Sequence, residues 1–593
     1  MVGRAYRLRL RRRLKVGKQQ AADMGLQAER KVDRYFFRRL ERIVPVGRFV
    51  AVWVALLFFL AGGVVVQALN LSTYYEFLKP APGGVHTEGM VGGFTTANPL
   101  YATNQADMSV TRLVFSSLLT YNENGELVGD LAKSWHVSES ETEYTVTLRD
   151  DAMWHDGQPV VAKDVVFTYK TIQKPDAQSP LFGGWQNITV TQKDAKTVVF
   201  ALSNPLSSFL HSLTNGIVPE HVLKDIKPVN LRTASFNTVN PVGSGPFKWR
   251  SVEVRGSAQQ NREERIALEG YDDYYGGAPK LDGFVLRVFQ NKDRLISEFK
   301  NLQVDAMAGL DEVPESLLND SSVVTYSLPL KAQVMTYFKT SSGVLASTKV
   351  RQALVHAANP QEIISSLSYP TIPVTEPVLR SQLGYDPALQ QLPFNQAEAK
   401  TLLDSDGWIV GKNGIRVKNN VPLSFNLHAK NIPEFTRATT LLQKQWRTVG
   451  VDAKLVLQDD TEFEGTLSGH AYDALLYGIS VGEDPDVYAY WHSSQADVRS
   501  VNWLNFSEYK SDVADDAISA GRTRTDSELR AIKYKPFLEA WRADAPALGL
   551  YQPRYLYISH GQVYGLEEHP INSQVERFSN VTDWMTQRAR ASE

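Results

Sequence analysis

The segment of this chain that most resembles catalytic machinery is Gly478–Gly482, which fits the Gly-x-Ser-x-Gly pattern of a nucleophilic serine. A plausible strand, 474–477, precedes it, and His492 or His560 offers a base. A hydrolase needs a helix directly after the serine, whereas here a proline follows five residues later. Two hypotheses stay open: a serine hydrolase that uses Ser480, and a ligand-binding loop at the carboxyl end of a strand.

Two further segments invite a chemical interpretation but favour tight turns. Trp154-His155-Asp156-Gly157 contains a possible acid–base pair, yet no nucleophile or metal ligand lies at a useful spacing, which favours a packed turn. Asn240–Trp249 contains Gly243 and Gly245 but no Lys-Ser/Thr pair, which argues against a phosphate-binding loop. This pattern predicts a turn that leads into a strand.

The distribution of histidine and cysteine argues against a metal or redox centre. The 11 histidines are scattered, and no His-x-x-x-His pair with a nearby carboxylate occurs. The chain has no cysteine, which excludes disulfides, thiolate metal sites and a lipid-modified N-terminal cysteine. We therefore expect a binding protein with no catalytic residues, no metal and no cofactor.

An apolar segment near the N-terminus predicts a membrane anchor. Residues 49–69, FVAVWVALLFFLAGGVVVQAL, contain no charge. As a helix they would span about 32 Å, enough for the hydrocarbon layer of a bilayer. The preceding basic segment is far longer than that of a signal peptide, and no small-x-small cleavage site follows the apolar stretch, which favours an uncleaved signal anchor.

Charge is distributed unevenly along the chain and predicts the orientation of this anchor. Residues 1–48 contain 15 Lys/Arg and four acids, a net charge of +11. Because the whole chain has a net charge of −2, the remainder has a net charge of −13. The positive-inside rule places the basic segment 1–48 in the cytoplasm and exports the acidic body across a cell membrane spanned once. An acidic body also argues against nucleic acid as a partner.

The exported body alternates strand-like and helix-like segments, which indicates an α/β or α+β architecture. Residues 70–83 contain two prolines and a glycine and predict a linker. Predicted strands lie at 143–148, 197–202 and 284–289. Predicted helices lie at 163–172, 292–301, 350–358, 396–403 and 434–449.

Seven segments of this body resemble, in the right order, the family 5 extracellular solute-binding proteins of ABC importers, which include oligopeptide- and dipeptide-binding proteins. The likeness as a whole extends over about residues 84–565. The segments are Phe94–Leu100 (FTTANPL), Leu113–Tyr121 (LVFSSLLTY), Tyr144–Phe167, Asn240–Phe247 (NPVGSGPF), Lys349–Ile364 (KVRQALVHAANPQEII), Asn395–Trp408 (NQAEAKTLLDSDGW) and Ala471–Asp486.

This resemblance implies a two-lobed α/β fold of the periplasmic-binding-protein type (type II, large peptide-binding subclass), with a hinge between the lobes. The first lobe would comprise residues 84–330, completed by 546–593, and the second lobe residues 331–545. A peptide or another oligomeric small ligand would bind between them in extended form, largely through main-chain hydrogen bonds.

The resemblance also implies the residues that contact the ligand. Those expected at the cleft are Phe94, Thr95 and Asn98 from the first lobe and Gly478, Ile479, Ser480, Glu483, Asp484 and Asp486 from the second. Peptide-binding members resembling this chain carry an Asp three residues before the acid-Pro turn, where it pairs with the ligand's α-amino group. Val481 occupies that position here, which leaves room for a ligand other than a free-amine peptide.

The leading hypothesis is a membrane-anchored, extracytoplasmic receptor that delivers peptides to the permease and ATPase subunits of an ABC transporter. A serine hydrolase and a ligand-sensing receptor without transport are the alternatives. The basic segment carries no recognisable kinase or nucleotide-binding motif, which favours transport.

Overall fold

The computed structural model describes residues 47–74, 77–256, 262–367, 369, 371–500 and 503–591. The chain divides into two compact units, residues 80–587 and the remainder at both termini. Nearly all of the predicted basic segment 1–48 lies outside the described residues.

The terminal unit contains one helix, Gly47–Tyr74, that is long and apolar enough by composition to cross a membrane. Its stretch Gly47–Gln67 has a mean hydropathy of 2.7, and its side chains are exposed in the described part of the chain. The helix extends five residues beyond the predicted end at 69. Within the predicted linker, Phe77–Ala81 is a strand, because it pairs with the distant segment Gln587–Ala591.

The larger unit is built around a seven-stranded mixed sheet. Its strands lie side by side in the order Val323–Pro329, Arg554–His560, Ala306–Leu310, Val85–Val91, Gly283–Phe289, Glu263–Gly270 and Phe247–Arg255. The three central strands run parallel to one another, and the outer pairs are antiparallel.

A second, five-stranded sheet has its own neighbours and its own core. Its order is Asp452–Gln458, Ser424–Lys430, Ala474–Ser480, Ala332–Phe338 and Ala547–Tyr551. The last strand belongs to this sheet because it pairs antiparallel with Ala332–Phe338, although it lies beyond the predicted end of the second lobe at 545. The other predicted domain boundaries stay a prediction.

The remaining strands form small antiparallel sheets. A four-stranded sheet has the order Ala132–Val137, Glu143–Leu148, Thr197–Leu202 and Ile188–Gln192. Two smaller groups consist of Leu119–Tyr121 with Leu127–Gly129, and of Ile409–Val410, Arg416–Lys418 and Val421–Pro422.

The predicted helices are confirmed, each within a few residues of its expected ends. The α-helices of the larger unit are Gln105–Val114, Ala162–Ile172, Phe182–Trp185, Glu220–Leu223, Pro228–Leu231, Lys292–Lys300, Thr348–Ala357, Pro360–Ser365, Gln396–Ser405, Pro433–Arg447, Asp460–Ser468, Tyr488–Trp491, Asp512–Arg522 and Ser527–Asp544. The three predicted strands are also present.

The two-lobed α/β architecture is confirmed. We call the elements around the seven- and four-stranded sheets the first lobe, and those around the five-stranded sheet the second lobe. The chain passes between the two large sheets at residues 330–331 and again at 552–553. The first lobe buries one large core and a smaller cluster around Phe299 on the other face of its seven-stranded sheet. The second lobe also buries apolar side chains on both faces of its sheet, around Trp446 and around Trp541.

The Trp154–Gly157 turn is structural, as predicted. Trp154 is fully buried, and Gly157 has a φ of +85°, which favours glycine. His155 connects this turn to the glycine-rich turn that feeds the strand Phe247–Arg255. Its Nδ1 accepts from the Gly243 N–H (3.3 Å), and its Nε2–H donates to the Gly245 carbonyl (2.9 Å). Both ring nitrogens of a neutral imidazole are thereby satisfied.

Because of His155, the stability of the protein should vary with pH in the mildly acidic range. Burial lowers the pKa of His155 to about 4 from its ordinary value of 6.5, so the unfolded chain takes up a proton that the folded chain refuses. We expect the free energy of unfolding to decrease as the pH decreases from about 6.5 to about 4. His155 should contribute up to about 1.4 kcal/mol per pH unit to this decrease. Urea unfolding of the full-length chain across this range measures the slope.

The matched variants are His155→Gln, which removes the titrating ring, and His136→Gln on an exposed strand position. His155→Gln should lower stability at pH 7 but flatten the slope, whereas His136→Gln should keep the wild-type slope. An unchanged slope in His155→Gln would contradict a neutral, buried His155.

Candidate ligand-binding cleft

A cavity of about 210 Å³ lies between the two lobes. Gln105, Gly309 and Asp311 line it from the first lobe, and Glu434 and Gly478 line it from the second. Concave sites at a junction between lobes are where ligands of two-lobed proteins bind. This cavity is therefore the first candidate for a ligand-binding site.

One charged residue that lines this cavity, Glu434, has a carboxylate that two tyrosines hold in place. Tyr369 and Tyr551 each donate a phenolic hydrogen bond to Glu434, at 2.6 and 2.7 Å. Burial raises the pKa of Glu434, and these two hydrogen bonds oppose the rise. Arg554 also lines the cavity, so the site presents both signs of charge to a ligand.

The predicted residues 478–480 form the last part of the strand Ala474–Ser480 and differ in exposure. Gly478 lines the cavity. Ile479 is buried in the core of the second lobe, so its side chain is not open to a ligand. Ser480 is exposed, and its carbonyl accepts a hydrogen bond from the Tyr490 hydroxyl (2.8 Å).

Ser480 does not have the surroundings of a catalytic serine. Its hydroxyl donates to the Asn572 carbonyl (3.3 Å). Of the two candidate bases, His492 contacts Ser494 and Asp515, and His560 bonds to the Phe299 carbonyl. A loop rather than a helix follows the serine. In the described part of the chain, neither candidate histidine therefore bonds to Ser480.

The predicted residues of the first lobe lie mostly in its interior. Phe94 is buried and stacks on Trp249, with ring centroids 6.0 Å apart. Asn98 is fully buried, and its amide bonds to Asn237 and to the main chain of residue 100. Thr95 is exposed, but its hydroxyl donates to Asp107 (2.5 Å). Neither the Phe94 ring nor the Asn98 amide is free to contact a ligand.

Of the predicted acids, Asp484 is fully engaged by basic side chains. Arg530 holds its carboxylate with two hydrogen bonds of 2.7 and 3.0 Å, and both side chains are less than one-tenth exposed. His211 of the first lobe lies 3.9 Å away. Burial lowers the pKa of His211, so at neutral pH it carries no charge to compete with Arg530.

The two neighbouring acids are also paired. Asp486 binds Arg522 at 3.0 Å and accepts a hydrogen bond from Ser208 of the first lobe (3.1 Å). Glu483 forms an ion pair with Lys331, at the point where the chain passes between the sheets. The acidic loop therefore bridges the lobes, and a ligand cation would have to compete with two arginines and a lysine for its charge.

A larger cavity, of about 390 Å³, lies in the first lobe and contains residues that the sequence did not point to. Arg112 and Glu576 line it together with aromatic and hydroxyl side chains. Their positions are 464 residues apart in the chain, and no local pattern indicates that they share a cavity. No group of three or more His, Asp and Glu residues suited to a metal ion occurs in the described parts of the chain.

The fold and the cleft together define a two-lobed ligand-binding protein. The sequence profile of the family described as bacterial extracellular solute-binding proteins, family 5, matches residues 126–500. The chain belongs to this family.

Known relatives and solved structures extend the similarity over most of the chain. The oligopeptide-binding protein AppA of Bacillus subtilis is 24% identical over 530 residues, covering 87% of this chain and 94% of AppA. The crystal structure of NikZ from Campylobacter jejuni with Ni(L-His) is 26% identical, with a TM-score of 0.72, and covers 85% of this chain and 99% of NikZ. AppA in complex with a nonapeptide has a TM-score of 0.69 at 23% identity, over 86% of this chain and 99% of AppA.

Proposed function

We propose that this protein binds peptides or another oligomeric small ligand between its lobes and delivers them to the permease and ATPase subunits of an ABC transporter. The observation that carries the proposal is the end of the strand Ala474–Ser480. Its pairing with the parallel neighbour Ser424–Lys430 stops at Leu476 with Ala429. Residues 477–480 continue past that partner, toward the cavity between the lobes.

On its other edge this strand end pairs with the strand Ala332–Phe338, so one edge beside the cavity is left for an extended ligand. Main-chain hydrogen bonds to such a ligand give affinity that does not depend on its side chains. Gly478 leaves the ligand room to approach, while Glu434 and Arg554 offer one charge of each sign. The relative AppA, which binds a nonapeptide in its crystal structure, supports the choice of peptide.

The helix Gly47–Tyr74 would anchor this receptor beside its transporter. The 15 basic residues within positions 1–48 favour a cytoplasmic N-terminus, with the binding unit on the opposite face of the membrane. Tethering keeps the receptor close to a permease in the same membrane and raises its effective concentration there.

Ligand recovery tests the binding function. The full-length chain is purified in detergent and denatured, and any released small molecules are identified by mass spectrometry. Recovered peptides, followed by calorimetric binding of the same peptides to ligand-free protein, would support the proposal. A protein that releases nothing and ignores a peptide library would contradict it.

Membrane extraction tests the anchor and its orientation. We expect the full-length chain to stay in the membrane pellet at alkaline pH, and added protease to digest residues 80–587 in intact spheroplasts. Replacement of Leu57 and Leu60 by Arg, in the apolar helix, should release the chain into the supernatant because charges at the bilayer centre are costly. Release of the wild-type chain would refute the anchor.

A further inference from the structure

The 390 Å³ cavity of the first lobe combines apolar walls with an acid and a base. Phe115, Leu181 and Trp185 contribute apolar surface, and Arg112 and Glu576 contribute charge. Its volume lies in the range of small-ligand sites, large enough for one or two amino-acid residues. The cavity therefore has the size and the mixed character of a subsite for part of a ligand.

This cavity adjoins the junction between the lobes. Tyr121, which lines it, forms a 2.7 Å hydrogen bond with Nδ1 of His211, and the other ring nitrogen of His211 lies 3.9 Å from Asp484 of the second lobe. The wall that Tyr121 forms therefore lies next to the second lobe.

Glu576 is the acid that lines this cavity, and it forms no ion pair with the described residues. Its Oε2 accepts hydrogen bonds from the Asn572 N–H (2.8 Å) and from the Asn572 side-chain amide (3.1 Å). Its Oε1 accepts none from the described residues, and none of their cationic groups lies within ion-pair distance of it. Burial raises the pKa of Glu576, while the Asn572 hydrogen bonds and the more distant charges of Arg112 and Lys331 oppose the rise.

The other charged residues along this wall, Arg112 and those of the acidic loop, are already paired. Arg112 lies 3.9 Å from Asp130 and also donates to Thr120 (2.9 Å). Lys331 is paired with Glu483, and Asp484 and Asp486 are bound by arginines. A cation that enters the 390 Å³ cavity therefore meets at Glu576 an acid without an ion pair among the described residues, which the acidic loop does not offer.

We propose that the cavity binds the ammonium-bearing end of the ligand, with Glu576 pairing with the ammonium and the apolar wall holding the adjacent side chain. This inference rests on the proposed function and assigns its specificity. It gives the ligand's amino group a partner although Val481 supplies no charge. Glu576 is then the residue that selects a free primary amine over a blocked one.

A binding role and a structural role for Glu576 predict different behaviour of Glu576→Gln. The amide retains an oxygen for the Asn572 donors and removes a buried charge that has no ion pair in the described parts of the chain, so the thermal midpoint should stay equal or rise. A structural carboxylate would instead destabilise the protein when replaced. The exposed Glu139 of the same lobe, which lines neither the cleft cavity nor the Glu576 cavity, provides the matched control Glu139→Gln.

Isothermal titration calorimetry on the full-length, ligand-free chain in detergent provides the test. The probes are an equimolar pool of Xaa-Ala-Ala-Ala-Ala pentapeptides with free amines and the same pool after N-acetylation. We expect the wild type and Glu139→Gln to prefer the free-amine pool at least 10-fold. Glu576→Gln should bind that pool roughly 10- to 100-fold more weakly and lose the preference, since a charge-assisted bond is removed.

A second variant, Ala102→Trp, fills the cavity from its lining without changing any charge and should weaken binding of the free-amine pool. Wild-type protein that binds both pools equally, or Glu576→Gln that keeps the preference, would overturn this inference and leave the proposed function standing. Wild-type protein that binds neither pool would overturn both.

Discussion

Replacement of Arg577 by Met is expected to destabilise the protein by about 3–5 kcal/mol. Arg577 and Glu88 are both fully buried and lie 2.6 Å apart, joining the C-terminal segment to a central strand of the seven-stranded sheet. Arg577 also donates to Ser109 and to the Gln574 carbonyl. Met leaves the Glu88 carboxylate without its ion-pair partner in the core. The unfavourable free energy of this buried, unpaired charge accounts for most of the expected loss of stability.

Urea unfolding of the full-length chain at pH 7 measures this effect. Arg255→Met is the matched control, because Arg255 pairs with Glu253 at 2.9 Å on an edge strand of the same sheet, where both side chains are about half exposed. Exposed pairs contribute less than about 1 kcal/mol.

The double variant Glu88→Gln/Arg577→Met removes the isolated charge and should recover part of the stability. An Arg577→Met variant as stable as Arg255→Met would show that Glu88 does not need a buried partner.

Replacement of Gly478 by Phe is expected to reduce ligand affinity at least about 100-fold, or about 2.8 kcal/mol. Gly478 lines the cavity between the lobes, and a Cβ there would make only ordinary contacts, 3.6 Å from Val334 and 3.9 Å from the Gln333 carbonyl. The backbone can accept the side chain, but the ring would occupy space and cover strand groups that the ligand needs.

Calorimetry with the free-amine pentapeptide pool measures the loss, and thermal unfolding checks the fold. Gly465→Phe is the control, because Gly465 lies on an exposed helix position of the same lobe with open space around it. It should bind like the wild type. Equal affinity in Gly478→Phe and Gly465→Phe would place the ligand outside this cavity.

Much of the architecture follows from local sequence. The uncharged run 49–69 predicts a helix, and alternation at 143–148 predicts a strand, because each pattern depends on neighbours in sequence. The order of seven motifs predicts the family and the two lobes. The predicted boundary at 545 places the strand Ala547–Tyr551 in the first lobe, but the strand pairs with Ala332–Phe338 in the second. Local sequence does not indicate this pairing, because the partner lies more than 200 positions earlier.

The candidate site follows from sequence only in part. The loop after the strand Ala474–Ser480 lies at the junction of the lobes, as expected of a strand end. Asn98, by contrast, is typical of an exposed turn residue, yet its amide is buried against Asn237, 139 positions away. A pairing between two distant side chains leaves no periodicity or spacing for sequence reasoning to detect.

The sequence by itself determined that this chain has an apolar helix, an α/β body and the motifs of a solute-binding family. Only the tertiary structure decided which charges are available to a ligand. Arg522 and Arg530 lie 36 and 46 positions after the aspartates that they neutralise, while Glu576 shares a cavity with Arg112 and has no ion pair among the described residues. Electrostatic pairing depends on distance in space and on burial, and both arise only when distant segments pack together.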